Sequence, residues 1–291
     1  MAVREVHAPG LGAVALATAL LQRARLADAE AGLWEAADVQ WWWRTPRASD
    51  AVAQRFWVDD TGPVAAVLLT DWGRAWGCDP LVVPGAAVGV DEVWRRAAEA
   101  IDALGLGSVE VLVRDDDEEL RELVVRGGFE PDEAERGGIT WLAAESGPPV
   151  PALPDGFVLV DRARSPAAPH PMRGRNGEAV EERLRQCSLY DAALDLAIEA
   201  PTGDVAAYAL FWFDPVTEVG LVEPMRVEDA YQRRGLGRAL LAAGLDRLAH
   251  RGARRLKVGF STEPARALYL AAGFRVAATD TTYRRGSRAQ R

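Results

Sequence analysis

A glycine-rich segment flanked by arginines is the stretch of this sequence best suited to chemistry. It reads Tyr-Gln-Arg-Arg-Gly-Leu-Gly-Arg-Ala-Leu over residues 231–240, between an apolar strand predicted over 219–227 and a predicted helix. Gly235 and Gly237 leave backbone N–H groups uncovered, and the helix behind them adds the positive end of its dipole. The guanidinium groups suit phosphate oxygens because each presents several donors. The segment therefore predicts a cradle for a diphosphate.

Two other interpretations of this loop compete with a diphosphate cradle. A dinucleotide fingerprint needs a third glycine three residues after the second, where this chain has Leu240. The preceding strand also contains Glu223 and Pro224, unlike the continuous apolar strand of a dinucleotide-binding unit. A simple turn with two glycines remains open for the loop alone, so the interpretation depends on its surroundings.

The sequence after the loop supplies that context. A predicted helix over 238–251 precedes a predicted strand over 254–260 and the run Pro-Ala-x-x-Leu-Tyr-x-x-x-Gly-Phe. Pro264 suits the first turn of a helix and Gly273 suits its end. The Gln-x-x-Gly-x-Gly loop followed by this second block resembles the GNAT superfamily of N-acetyltransferases.

The resemblance implies that acetyl-coenzyme A binds at the loop and along the preceding strand. In that family, main-chain groups of the strand contact the pantetheine arm, so side-chain identity matters little there. Many relatives carry Asn at the position aligned with Thr262, whose hydroxyl can still donate a hydrogen bond or cap a helix. The implied coenzyme-binding residues are Met225, Arg226, Val227, Gln232, Arg233, Arg234, Gly235, Leu236, Gly237, Arg238 and Thr262.

Glu223 is the candidate general base. An amine attacks a thioester only when unprotonated, and a lysine-like amine is about 0.04% neutral at pH 7. Glu223 precedes a proline that cannot donate to a strand ladder, which indicates a bulge or splay. In the resembled family the splay admits the pantetheine arm. A solvent-facing carboxylate, or one that only binds the acceptor's ammonium group, remains an alternative.

Tyr269 is the candidate general acid. The departing thiolate needs a proton, and a phenol with a pKa near 10 stays neutral until it gives one up. Tyr269 matches the family's tyrosine within Leu-Tyr-x-x-x-Gly-Phe. The alternative is an aromatic residue that only packs in the core.

The acceptor pocket is expected beside the splayed strands. We place it between the early helical region over 176–190, Trp212 and these strands, with three candidate substrate-binding residues: Tyr190, Glu199 and Trp212.

The 291 residues contain two related halves. A shift of 145 residues places Gly128-Phe129 on Gly273-Phe274 and a helical run over 91–104 on 236–249. The predicted organisation is a GNAT-like domain over 1–145, a proline-rich linker over 146–155 and a catalytic GNAT domain over 156–291. The predicted fold class is α/β (α+β), with each domain a mixed, mainly antiparallel twisted sheet flanked by helices.

The first copy is expected to have lost coenzyme binding. Val90, Asp91 and Glu92 stand where the second copy has Gly-Leu-Gly, so two carboxylates would face a diphosphate. Val124 stands in the position of the candidate acid. The first copy is predicted to be a structural partner and part of the acceptor-site wall.

The composition excludes several functional classes of protein. A net charge of −9 argues against general nucleic-acid binding, and no segment reaches the apolar length of a membrane span. The apolar run 11–21 fits an alanine-rich helix better than a signal peptide, because basic residues follow it. Two cysteines and three scattered histidines give no disulfide framework or metal set. A cytoplasmic protein without a metal is expected, either a pseudo-dimeric monomer or a homodimer.

The sequence as a whole predicts an N-acetyltransferase that transfers acetyl from acetyl-coenzyme A to an amine of a small molecule or peptide. Neither cysteine is placed for a covalent route, so direct attack in a ternary complex is expected. Two alternatives remain: mycothiol-synthase-like acetylation of a cysteinyl amine, and a coenzyme-binding regulatory module without turnover.

Overall fold

The computed structural model describes residues 3–165 and 169–286, and its elements repeat one order twice. Apart from short 3-10 turns, each half reads strand, two helices, three strands, helix, strand, helix, strand. The first half contains β1 Arg4–Ala8, α1 Gly10–Ala27, α2 Ala36–Trp42, β2 Gln54–Asp59, β3 Gly62–Asp71, β4 Trp76–Val82, α3 Val90–Ala103, β5 Ser108–Arg114, α4 Glu118–Arg126 and β6 Glu130–Ala143. The second half contains β7 Val158–Asp161, α5 Arg173–Asn176, α6 Val180–Arg185, β8 Asp195–Glu199, β9 Val205–Asp214, β10 Val219–Val227, α7 Leu236–His250, β11 Arg255–Phe260, α8 Glu263–Ala271 and β12 Arg275–Gly286.

The chain folds into two compact units that are discontinuous in sequence. Among the described residues, unit 1 is drawn from 3–39, 46–138 and 278–286, and unit 2 from 40–45, 139–165 and 169–277. The domain boundaries predicted at residues 145 and 156 describe the two copies in the sequence. They stay a prediction, because each compact unit contains residues from both halves of the chain.

Unit 1 is built on the strand order β1-β2-β3-β4-β5-β12. The β4–β5 pair is parallel, whereas β1–β2, β2–β3, β3–β4 and β5–β12 are antiparallel. Its core forms where apolar strand residues meet the inner faces of α3 and α4, and includes Val67, Val93, Ala97, Val111 and Val124.

Unit 2 uses the order β6-β11-β10-β9-β8-β7. The β10–β11 pair is parallel and the pairs from β7 to β10 are antiparallel. Helix α7 supplies leucines and alanines to the core against β9 and β10, among them Leu240, Leu241 and Leu245. Both units therefore confirm the predicted mixed, mainly antiparallel sheets flanked by helices.

Helix α1 contains the apolar run at 11–21. Within the described ranges, no helix has the length and apolar character needed to cross a membrane.

Candidate active site

The loop before α7 adopts a backbone conformation suited to an anion. Arg233 has φ +61° and Gly235, the N-cap of α7, has φ +82°. Left-handed residues within a tight turn direct successive backbone N–H groups toward one side and form a concave nest. The nest opens onto a fifteen-residue helix, whose dipole places partial positive charge at the same point.

The two glycines of the loop have different physical roles. A Cβ at Gly235 would meet open space, so this glycine serves the left-handed backbone. A Cβ at Gly237 would lie 3.3 Å from Val227 Cγ2 and 3.6 Å from Met225 Cε, so this glycine lets α7 approach β10. In the described part of the chain, no side chain caps α7 and no acidic residue lies in its first turn.

Several polar side chains of the loop already contact the protein, and Arg234 donates a 3.4 Å hydrogen bond to the Ala230 carbonyl. Arg226 forms ion pairs with Glu228 at 3.2 Å and Asp229 at 3.1 Å. The Gln232 side chain donates to the Val227 carbonyl at 3.3 Å, which ties the loop to the end of β10. The three arginines that flank the nest are exposed, and they are Arg233, Arg234 and Arg238.

Strands β10 and β11 separate at the predicted place. Their parallel pairing covers 219–221 against 255–257, and the β9–β10 register shifts between Val222 and Met225. The Glu223–Pro224 peptide lies within this shift and is cis. The bulge and splay predicted from Pro224 are therefore present, and Glu223 lies where the strands part.

Trp212 fixes the backbone at Glu223. Its ring is fully buried, and its Nε1 donates a 2.7 Å hydrogen bond to the Glu223 carbonyl. The structure thus places this candidate acceptor residue beneath the opening, with its polar atom on the strand that carries the candidate base.

Tyr269 lies on α8, buried against Phe274 with ring centroids 6.2 Å apart. Burial and, to a lesser degree, the negative charge of Glu223 raise the pKa of the phenol above its ordinary value. The two catalytic candidates are therefore near enough for the charge of one to act on the other. Thr262 caps α8, accepting a 3.4 Å hydrogen bond from Ala265 N.

The other two acceptor candidates lie on or beside β8. Tyr190 donates a 2.9 Å hydrogen bond to Asp195 Oδ2, and its ring meets Trp212 edge-on at 6.4 Å. Burial and the Asp195 carboxylate raise the pKa of this phenol. Glu199, at the end of β8, is half-buried.

Sequence reasoning missed a buried polar cluster beneath Tyr190. His170 Nε2 lies 2.8 Å from Asp195 Oδ2, the same oxygen that accepts from Tyr190. His170 and Asp195 both lie outside the catalytic motifs, and their spacing in the sequence does not indicate that the two side chains meet.

The corresponding helix of unit 1 begins differently. Its N-cap, Gly89, is extended with φ −79°, and Asp91 and Glu92 lie in the first turn of α3. A Cβ at Gly89 would collide with the Asp91 carboxylate, which shows that this carboxylate lies against the helix start. Val124 is completely buried.

Comparison with known proteins places these features in a family. Residues 165–274 match the acetyltransferase (GNAT) family model. The mycothiol acetyltransferases of Clavibacter sepedonicus and Clavibacter michiganensis subsp. michiganensis are 40% and 39% identical over 121 residues, or 40% of this chain and 39% of each relative. The chain thus spans about two fifths of the length of the curated relatives it matches.

Solved structures resemble the whole chain. A tandem GNAT protein from the clavulanic acid biosynthesis pathway superposes with a TM-score of 0.69 at 17% identity over 98% of both chains. A GCN5-related N-acetyltransferase from Sphaerobacter thermophilus gives 0.61 at 19% identity, over 97% of this chain and 95% of its own. Residues 165–274, which hold every candidate site residue, thus match the acetyltransferase (GNAT) family model, in a chain whose fold is similar to that of a tandem GNAT protein.

Proposed function

We propose that this chain transfers an acetyl group from acetyl-coenzyme A to a primary amine of a small molecule or peptide. The observation that carries the proposal is the combination of an anion nest before α7 with an opening between β10 and β11 at Glu223. The nest suits a diphosphate, and the opening leads from it toward the two candidate proton carriers.

The loop fits the coenzyme by its backbone as well as its charge. The left-handed N-cap, the uncapped helix start and the exposed arginines are all features that bind phosphate oxygens. Beyond residue 221, β10 is no longer paired with β11, so Met225 and Val227 are the expected main-chain partners of a pantetheine arm. When bound, acetyl-coenzyme A would supply an activated acetyl thioester.

Glu223 is the proposed general base. Its carboxylate would hold the acceptor ammonium group and take its proton, directly or through a water molecule. This step offsets the roughly 4–5 kcal/mol needed to deprotonate a lysine-like amine at pH 7. Trp212 would keep the carboxylate in place through its hydrogen bond to the Glu223 carbonyl.

Tyr269 is the proposed general acid. Its raised pKa keeps the phenol protonated across the physiological range, so a proton is present when the thiolate departs. Burial next to Phe274 restricts the ring to one position on α8.

The two cysteines support direct attack over a covalent acyl-enzyme. Cys187 is buried, and its Sγ donates to the Gln40 carbonyl at 3.3 Å. Burial raises the pKa of Cys187 to about 12 and also raises that of Cys78. Neither thiol would be a thiolate nucleophile at neutral pH.

A cysteinyl amine is the second candidate acceptor. The partial match to two mycothiol acetyltransferases favours an acceptor of that type for the matched region. The residues proposed to line the pocket, Tyr190 and Glu199, are polar and do not by themselves distinguish it from other amines.

The test is thiol release from acetyl-coenzyme A with a panel of primary amines that includes cysteinyl derivatives. Gly237→Glu should abolish turnover, because the new side chain brings a carboxylate to the start of α7 beside β10. Gly107→Glu is the matched control, since a Cβ there meets open space in unit 1 and the same charge is added. Coenzyme binding without turnover on any amine would instead support a regulatory module.

A further inference from the structure

Unit 1 contains a cavity of about 430 Å³ that the proposed reaction does not use. It lies between α1, the loop at 31–34, the end of β4 and the start of α4. Its volume is in the usual range for small-molecule sites. Most of the wall is apolar and includes Leu20, Leu21, Leu81, Val83, Leu112 and Leu120.

A buried carboxylate, that of Asp79, lies in this apolar wall. Asp79 is 7% exposed, and its Oδ1 accepts a 2.8 Å hydrogen bond from Trp34 Nε1. The described residues provide no other hydrogen bond to the Asp79 carboxylate, although a carboxylate has about four acceptor positions. The Asp79 carboxylate can therefore accept further hydrogen bonds from a ligand in the cavity.

The charges around Asp79 favour a cation. The two arginines of the wall are already engaged: Arg25 binds Glu35 at 2.5 and 3.1 Å, and Arg114 binds Asp116 at 2.7 and 2.8 Å. Further carboxylates act on Asp79 or lie on the wall, and they are Asp38, Glu110, Asp117 and Glu119. Burial, followed by the charges of Glu110 and Asp38, raises the pKa of Asp79 to about 7.

A coenzyme diphosphate does not fit the adjacent helix start. The N-cap of α3 is extended rather than left-handed, and Asp91 and Glu92 occupy the first turn. These carboxylates would repel a diphosphate at the helix start that corresponds to the proposed cradle of unit 2.

We propose that the unit 1 cavity binds a small organic cation, with its ammonium group on the Asp79 carboxylate and its apolar body against the leucine-rich wall. The Trp34 indole, which also lines the cavity, would hold the carboxylate in place through its hydrogen bond. This site is separate from the acetyl-transfer site and does not depend on turnover there.

Calorimetry on the full chain with 2-phenylethylamine tests the proposal. At pH 8 the amine should bind, 2-phenylethanol should bind at least tenfold more weakly, and phenylacetate should not bind. Below pH 7 the amine affinity should fall up to tenfold per pH unit, because Asp79 must release a proton while the amine stays charged. Equal affinity for amine and alcohol would overturn the proposal.

Two variants locate the binding. Asp79→Asn keeps an acceptor for Trp34 and should lower amine affinity at least tenfold, with little effect on the alcohol. Ala86→Phe should weaken both probes, because it places a ring at the cavity wall. Asp60→Asn, at an exposed turn, is the control for loss of one charge.

The same titrations separate this site from the acceptor pocket. Amine binding that persists in Asp79→Asn but is lost in Glu223→Gln would place the probe in unit 2 and refute the cavity assignment. Competition of acetyl-coenzyme A with the amine in a Gly237→Glu background would show a coenzyme site in unit 1 and would also refute it.

Discussion

Tyr269 combines burial with a position near the candidate base, so its hydroxyl can be tested without disturbing the fold. Tyr269→Phe removes the proton proposed for the leaving thiolate and leaves the ring against Phe274. We expect kcat to fall about 100-fold while the Kd for acetyl-coenzyme A changes less than twofold. Steady-state kinetics and calorimetry measure the two quantities.

The control for Tyr269 is another buried tyrosine. Tyr283→Phe removes a hydroxyl from the unit 1 core and should leave kcat unchanged. Full activity of Tyr269→Phe would assign Tyr269 to packing alone.

Glu223 and Trp212 should act as one unit, because Trp212 Nε1 donates its hydrogen bond to the Glu223 carbonyl. Glu223→Gln should lower kcat about 100-fold, since it removes the proposed base. Trp212→Phe should lower kcat about tenfold and add little in the Glu223→Gln background. A double-mutant cycle on kcat, with the KM for coenzyme measured in parallel, tests this coupling.

Two results would contradict this assignment. Additive losses in the cycle would mean that Trp212 does not position Glu223. A Glu223→Gln variant that retains full turnover across pH would remove Glu223 from the mechanism. Glu218→Gln is the charge-matched control, because Glu218 lies at the turn before β10 and pairs with Arg254 at 2.8 Å.

At the scale of the elements, the junction of β10 with α7 is the feature on which coenzyme binding depends. Gly235 is left-handed in open space, so Gly235→Ala costs backbone energy without a collision. A left-handed alanine costs about 1–2 kcal/mol, and relief of that strain would move the N–H groups of the nest. We expect coenzyme affinity to fall about tenfold, as measured by calorimetry.

Gly73 provides a matched control for this change. It has φ +84° in open space, and it lies in unit 1, in the turn between β3 and β4. Gly73→Ala should lower the melting temperature by a similar amount and leave coenzyme affinity unchanged. Equal affinity losses in the two variants would attribute the Gly235→Ala effect to general stability.

Local elements could be predicted from the sequence, because their signals are local. The strand predicted over 219–227 coincides with β10, and the helix predicted from 238 begins at Leu236. The bulge at Pro224 followed from its missing N–H group. These features depend on residues within one or two turns of chain.

Contacts between distant segments could not be predicted in this way. Residues 280–286 pair with β5 in unit 1, although the sequence repeat assigns them to the second copy. Trp34 meets Asp79 across 45 positions, and Trp43 stacks on Arg183 in unit 2 across 140. Nothing in the spacing of these residues indicates which partner each will find.

At the scale of the whole molecule, the two copies have kept one fold and diverged at the same helix start. The repeated element order extends from β1 to β12, although corresponding elements differ in length: α1 has 18 residues and α5 has 4. In unit 2 the N-cap is left-handed with no acid in the first turn. In unit 1 it is extended with two acids, and the adjacent cavity is lined by carboxylates.

This asymmetry predicts one acetyl-coenzyme A site per chain. Calorimetry on the full chain should give a stoichiometry of one, and Gly237→Glu should remove that site without revealing another. Two sites of comparable affinity would contradict the divergence argued from the N-caps.

The same measurement can show whether charge or backbone shape sets the asymmetry. Asp91→Asn combined with Glu92→Gln removes the repulsion at α3 but leaves Gly89 extended, so no nest of left-handed residues forms there. We therefore expect the stoichiometry to stay at one. A second site in this variant would show that the two carboxylates alone exclude the coenzyme and that the fold of unit 1 still accommodates it.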